Sequence, residues 1–258
     1  MLNQIIHILQ LPERCLVNKR ITKAFFKRNF DMTSSEKNLL DDYNTITAID
    51  WIASISMANA NVPEYKDCET TFEEIQVIAV TTSPQSLKIN ASKIIDLIQK
   101  YIPYHMLLIV HDGINSNWNV TYKHINQNDN NKRTLGKKFT ADWNTTNSNN
   151  KLHEAFCEAL SFSRVPSTNL RILYEGYVQC FIGLITAPII GSFEIRPAER
   201  TKEDVERLER ITSLEKEINT LTNVAQKETQ LNKRIEINTQ VQQKRKQIKL
   251  LKNSILNA

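Results

Sequence analysis

Glycine and proline are scarce, 5 and 7 in 258 residues. A turn-dense all-β sandwich needs such residues at hairpin after hairpin and is not expected. Five dispersed glycines also cannot assemble a GxxxxGK[ST] or GxGxxG phosphate loop, so neither nucleotide hydrolysis within the chain nor a cofactor is expected. No GxSxG motif is present, and no Cys/His arrangement stands out. The four cysteines, Cys15, Cys68, Cys157 and Cys180, form no CxxC pair and no His/Cys cluster, which argues against a zinc site. The start MLNQIIHILQLPER lacks the basic region and cleavage site of a secretory leader. Reduced thiols and a cytoplasmic location are the expectation. The longest uncharged run, Gly176 to Phe193, carries Gly176, Gly183, Pro188 and Gly191 and lies between Glu175 and Glu194. It is short for a bilayer of about 30 Å and reads as a buried core helix followed by a short strand or turn, with no membrane contact.

What is present is ordinary globular composition, 41% hydrophobic and 24% charged, with an uneven charge distribution. Of the net +5, residues 227–258 contribute +6 and residues 201–226 contribute −2, so the first 200 residues are nearly neutral. A local basic stripe is the usual footprint of a phosphate-rich partner or an acidic protein surface.

Patterning predicts an α/β (α+β) body, a small mixed sheet flanked by helices, over 1–197. A C-terminal helical hairpin or coiled coil is predicted over 198–258. Residues 18–30 read as one basic amphipathic helix, with Ile21, Ala24 and Phe25 on one side and Lys19, Arg20, Lys23 and Lys27 on another. Thr33 and Glu36 have capping-box spacing for a helix running to about Tyr43. Strands are expected at 46–57, 71–82, 105–112 and 118–125, and a helix at 90–102 with Asn90 as its N-cap. Residues 115–150 contain eleven asparagines and read as an edge hairpin and polar loop, with Trp143 anchoring it to the body. Helices are expected at 151–164 and 168–186. Beyond Pro197 nothing breaks a helix. Ile211, Leu214, Ile218, Leu221 and Ala225 form one heptad seam, and Ile237, Val241, Ile248, Leu251 and Ile255 another. The two seams are out of phase, which favours an antiparallel hairpin over one continuous helix, and association between copies through these helices is possible.

Three sets of residues bear on chemistry or binding. A restriction-type nuclease needs strand-borne carboxylates followed by an acid-x-Lys; the nearest match is Asp50 with Glu74-Ile75-Gln76, where a neutral amide replaces the lysine. The five histidines, including His105 and His111 flanking one strand, read as structural or surface groups. The candidate binding residues are therefore basic: Lys19, Arg20, Lys23 and Lys27 near the N-terminus, and Lys233, Arg234, Lys244, Arg245, Lys246 and Lys249 in the tail. The tail has no interleaved aromatic residue, so contacts to phosphates are expected rather than base readout.

The runs LPERCLVNKRITK (11–23), EKNLLDDYNTITAIDWIASI (36–55), EEIQVIAV (73–80), IQKYIPYHMLLIV (98–110), LRILYEGYVQCFIGLI (170–185) and LEKEINTLTNVAQKETQLNKRIEIN (214–238) resemble the bacterial family catalogued as domain of unknown function 4391. That resemblance implies encoding beside DNA helicases and DNA methyltransferases, in operons of antiviral, restriction-like character. It supplies no catalytic residues. The expectation is a non-catalytic subunit of a DNA defence complex that docks a helicase or methyltransferase and possibly the DNA backbone. The alternative is a degenerate metal-dependent nuclease.

Overall fold

A computed structural model describes residues 1–144 and 151–257, apart from the side chains of residues 130, 131, 143 and 144. The chain divides into two compact units, Met1–Phe181 and Ile182–Ala258.

The first unit is built on a six-stranded mixed sheet. Its strands are β1 (Leu16–Arg20), β2 (Ala48–Ser56), β5 (Glu74–Thr81), β6 (His105–His111), β7 (Asn115–Asn126) and β8 (Asp129–Asn144), in spatial order β1-β2-β5-β6-β7-β8. A small ribbon, β3 (Tyr65–Lys66) with β4 (Thr71–Phe72), stands apart from it. Neighbouring strands of the large sheet are antiparallel except β5 and β6. That parallel pair is joined by α5 (Pro84–Tyr101), as a parallel connection requires a crossover. The remaining helices of this unit are α1 (Leu2–Leu9), α2 (Lys23–Asn29), α3 (Ser34–Asp41), α4 (Met57–Ala60), α6 (Lys151–Ala159) and the first part of α7 (Leu170–Ile190).

β6 is apolar throughout its interior because both faces of the sheet are covered. On one face Met106, Leu108 and Val110 pack with Ile78 and Val80 against Ile94, Ile95 and Ile98 of α5. On the other, Tyr174 of α7 accepts a hydrogen bond from the Thr121 amide (2.8 Å) and donates one to the Thr121 carbonyl (2.9 Å). There His105 stacks on Phe72 at 3.9 Å. The same two-sided burial covers Gln76 and Ile78, so the interior of β5 is buried on both faces. The apolar run in α7 is largely buried, as a core helix is, but it continues as helix to Ile190 rather than turning into a strand.

Several expected elements differ. Residues 18–30 are not one helix: Leu16–Arg20 form the edge strand β1, and α2 begins at Lys23 with the Thr22 side chain accepting from the Phe25 amide. In consequence Phe26, not Phe25 or Ala24, is the buried residue of α2. The helix expected from Asn90 starts six residues earlier, because Ser83 caps it and Pro84 occupies its first turn. Asn90 is thus inside the helix. The capping box of Thr33 and Glu36 forms as its spacing dictates. The asparagine-rich region is mainly the long hairpin β7–β8; residues 145–150 and the side chain of Trp143 lie outside the described residues.

The second unit contains α8 (Ala198–Lys227) and α9 (Leu231–Leu256), which form an antiparallel hairpin broken at 228–230. The two heptad seams face inward: Ile211, Leu214, Ala225, Val241 and Ile255 are buried, and Ile218, Leu221, Ile237, Ile248 and Leu251 are partly buried. The open end is clamped by Arg196, which donates to Asp204 of α8 at 3.0 Å and to the Ile255 carbonyl of α9 at 2.9 Å.

Candidate nucleic-acid interface

The charge of the hairpin is segregated by helix. α8 carries seven acidic and six basic residues, and much of that charge is paired internally, as in Arg207 with Glu203 (3.0 Å) and Asp204 (3.3 Å). α9 carries seven lysines and arginines against a single glutamate, Glu236. Of its basic residues, Lys244 is held by Glu217 across the hairpin, and that bond, the leading cause, pulls the Glu217 carboxyl below its ordinary pKa. Lys233, Arg234, Arg245, Lys246, Lys249 and Lys252 are exposed, and none has a carboxylate partner among the described residues. The spacing of Arg234, Arg245, Lys249 and Lys252 places them along one flank of the helix over about 27 Å, at 100° and 1.5 Å per residue. Uncompensated like charges in such a row repel one another, and an anionic surface relieves that repulsion. α9 has no aromatic residue with which to stack bases, so the row can attract an anion but not read a base.

The N-terminal basic residues are placed differently. Lys19 and Arg20 lie on the exposed edge strand β1, and Arg20 is paired with Asp50 at 3.2 Å. Lys23 and Lys27 lie on α2. Lys27 pairs with Asp41 at 2.7 Å, and Lys23 donates to the Asp41 carbonyl at 3.4 Å while standing 5.9 Å over the ring of Tyr43. Burial, chiefly, lowers the Lys23 pKa. The four residues do not form the single helical face that their sequence spacing suggested.

The candidate nuclease carboxylates do not meet. Asp50 pairs with Ala79, and Glu74 lies five residues further along β5, a separation of about 17 Å at the usual strand rise. One metal, with ligands at about 2.0–2.6 Å, cannot bridge them. Glu74 instead accepts hydrogen bonds from Gln76 (2.6 Å) and Ser54 (3.0 Å), while the Trp51 indole donates to Gln76 at 2.7 Å. Gln76 is therefore the hub of a hydrogen-bonded network that joins Trp51, Ser54 and the Glu74 carboxylate. Among the described residues no group of three or more His, Cys, Asp or Glu side chains is placed to hold a metal ion.

Sequence reading missed one polar group altogether. Lys123 alternates like a solvent-facing strand residue, yet it is 1% exposed, and its ammonium nitrogen donates to the carbonyl of Ile102 at the end of α5. Its pKa lies well below the ordinary lysine value because of burial, reinforced by the Arg133 charge. The adjacent His105, whose ring nitrogen accepts from the Lys123 amide at 3.2 Å, is held down to about 3 by burial and then by the Lys123 charge. Nothing short of knowing that the carboxyl end of α5 overlies β7 would have revealed this.

The family model described as domain of unknown function (DUF4391) matches residues 9–248, nearly the whole chain, and the chain belongs to that family. No curated protein and no solved structure matches it.

Proposed function

We propose that this family member is a non-catalytic, cytoplasmic subunit of an antiviral DNA-targeting assembly, in which α9 lies against DNA phosphates while the chain docks a helicase or methyltransferase subunit. The observation that carries the reading is the row of exposed, uncompensated cations on α9. The sheet-bearing unit serves as the scaffold. The separation of Asp50 from Glu74 gives the nuclease alternative no support at that pair.

Reconstitution tests the assembly. Mixed with its helicase or methyltransferase neighbour and a DNA duplex, the wild-type chain should co-elute as one complex at moderate salt. The variant Arg234→Gln/Arg245→Gln/Lys249→Gln/Lys252→Gln, all exposed positions, should remain folded and fall out of the DNA-bound fraction. Equal retention of the variant, or absence of any complex with the wild-type chain, would refute the proposal.

A further inference from the structure

The inward stripe of α8 begins with a cation. Arg200, Asp204, Arg207, Ile211 and Leu214 follow one another at alternating spacings of four and three, which puts them on one side of the helix, the side on which Ile211 and Leu214 are buried. Asp204 is buried on that stripe with both oxygens engaged, Oδ2 by Arg196 at 3.0 Å and Oδ1 by Arg207 at 3.3 Å. The Ile255 carbonyl of α9 accepts from Arg196. The Arg196 and Pro197 carbonyls accept from the Thr201 hydroxyl, both at 3.0 Å. Arg200 shares none of these acceptors. Its Nε and Nη2 atoms are buried and have no hydrogen-bond partner among the described residues, although the residue as a whole keeps partial exposure.

An enclosed guanidinium without an acceptor is destabilising unless an anion meets it. Here three guanidiniums, Arg196, Arg200 and Arg207, stand against one buried carboxylate, which leaves an excess of two positive charges. The carboxylates of Glu194 and Glu203, beside Arg196 and Arg207, are 50% and 54% exposed and are screened by water. Glu199, in the first turn of α8, is exposed as well. A carboxylate ligand would bring a single charge, whereas a phosphate brings nearly two at neutral pH and offers paired oxygens to a guanidinium fork. We propose that the open end of the hairpin holds a phosphate-binding site, in which Arg200 meets two phosphate oxygens while Arg196 and Arg207, anchored on Asp204, supply the surrounding positive potential. The site uses none of the α9 cations, so it stands or falls apart from the DNA-binding reading.

Isothermal titration of the full chain with inorganic phosphate, at neutral pH and constant ionic strength in chloride, tests the site. The wild-type chain should bind phosphate saturably, and acetate should not saturate over the same range. Arg200→Met should weaken phosphate binding by between about tenfold and about a hundredfold, the equivalent of one charge-assisted hydrogen bond. Arg200→Lys should lose less, because its point charge remains but cannot span two oxygens. Lys202→Met, at an exposed position in the same turn, should bind like wild type. Glycerol phosphate as a second probe separates the sources: tighter binding than inorganic phosphate assigns a phosphomonoester, weaker binding the free ion. No saturable phosphate binding by the wild-type chain, unchanged binding in Arg200→Met, an equal loss in Lys202→Met, or acetate binding as tight as phosphate would each overturn the site. Without phosphate, Arg200→Met should be no less stable to urea than wild type, since it removes an enclosed cation that lacks an acceptor. A lower urea midpoint would mean that the chain itself satisfies the guanidinium, and would equally overturn the proposal.

Discussion

Replacing Lys123 by methionine should stabilise the protein at neutral pH. The side chain is fully buried, and among the described residues its hydrogen-bond acceptor is the Ile102 carbonyl. Its folded pKa lies well below 10.5. An unfolded chain carries this lysine protonated at neutral pH, and burial in the folded chain disfavours that charged form. A base with a depressed folded pKa costs stability as pH falls below its unfolded value, at about 1.4 kcal/mol per unit until the folded pKa is reached. Methionine has similar reach and no charge, and its expense is one unsatisfied carbonyl, about 1–3 kcal/mol. The balance favours the variant at pH 7 and shifts toward the wild type as pH approaches 10. Urea titrations at pH 7 and pH 10 measure both values. A variant less stable than wild type at pH 7 would mean that the buried amine is compensated in a way this environment does not provide. His105 acts with the same sign at lower pH: its folded value of about 3 lies below the ordinary 6.5, so stability falls as pH drops from about 6.5 toward 3.

The second large effect lies in the hairpin. Asp204 is 1% exposed and accepts from Arg196 at 3.0 Å and Arg207 at 3.3 Å. Arg196 itself is only 13% exposed and also bonds the last turn of α9. Asp204→Ala removes the anion and leaves two guanidiniums facing each other in a poorly hydrated site. Breaking a buried pair by removing one partner costs about 3–5 kcal/mol, several times the worth of the exposed pairs elsewhere in the chain. Denaturant melts of Asp204→Ala against a control at an exposed pair, Lys132→Ala, check the contrast. Lys132 pairs with Asp129 at 3.3 Å with its side chain 75% exposed, and its loss should cost under 1 kcal/mol. Equal effects would contradict the clamp.

These expectations mark where sequence was informative. The β6 strand, the Thr33–Glu36 capping box and the two hairpin seams were readable because each rests on a local period or a fixed spacing. The phase slip between seams led directly to the turn at 228–230. What failed was local competition. Thr22 fits a helix interior by pattern but acts as a cap, which hands Leu16–Arg20 to the sheet edge. Ser83-Pro84 ends a strand and starts a helix at once, and only the first role was visible. Tertiary placement was out of reach. The antiparallel register that separates Asp50 from Glu74, the burial of Lys123, and the approach of Lys23 to Tyr43 all depend on packing between segments distant in the chain.

The most direct check on α9 is the salt dependence of duplex DNA binding. Neutralising a phosphate contact releases counterions, so the logarithm of affinity falls linearly with the logarithm of salt, by about 0.9 per contact on B-form DNA. The wild-type chain should show a steep negative slope, and Arg234→Gln/Arg245→Gln/Lys249→Gln/Lys252→Gln should flatten it by about 3 to 4 while the hairpin remains helical by circular dichroism. Identical slopes for the two chains would show that α9 does not touch DNA.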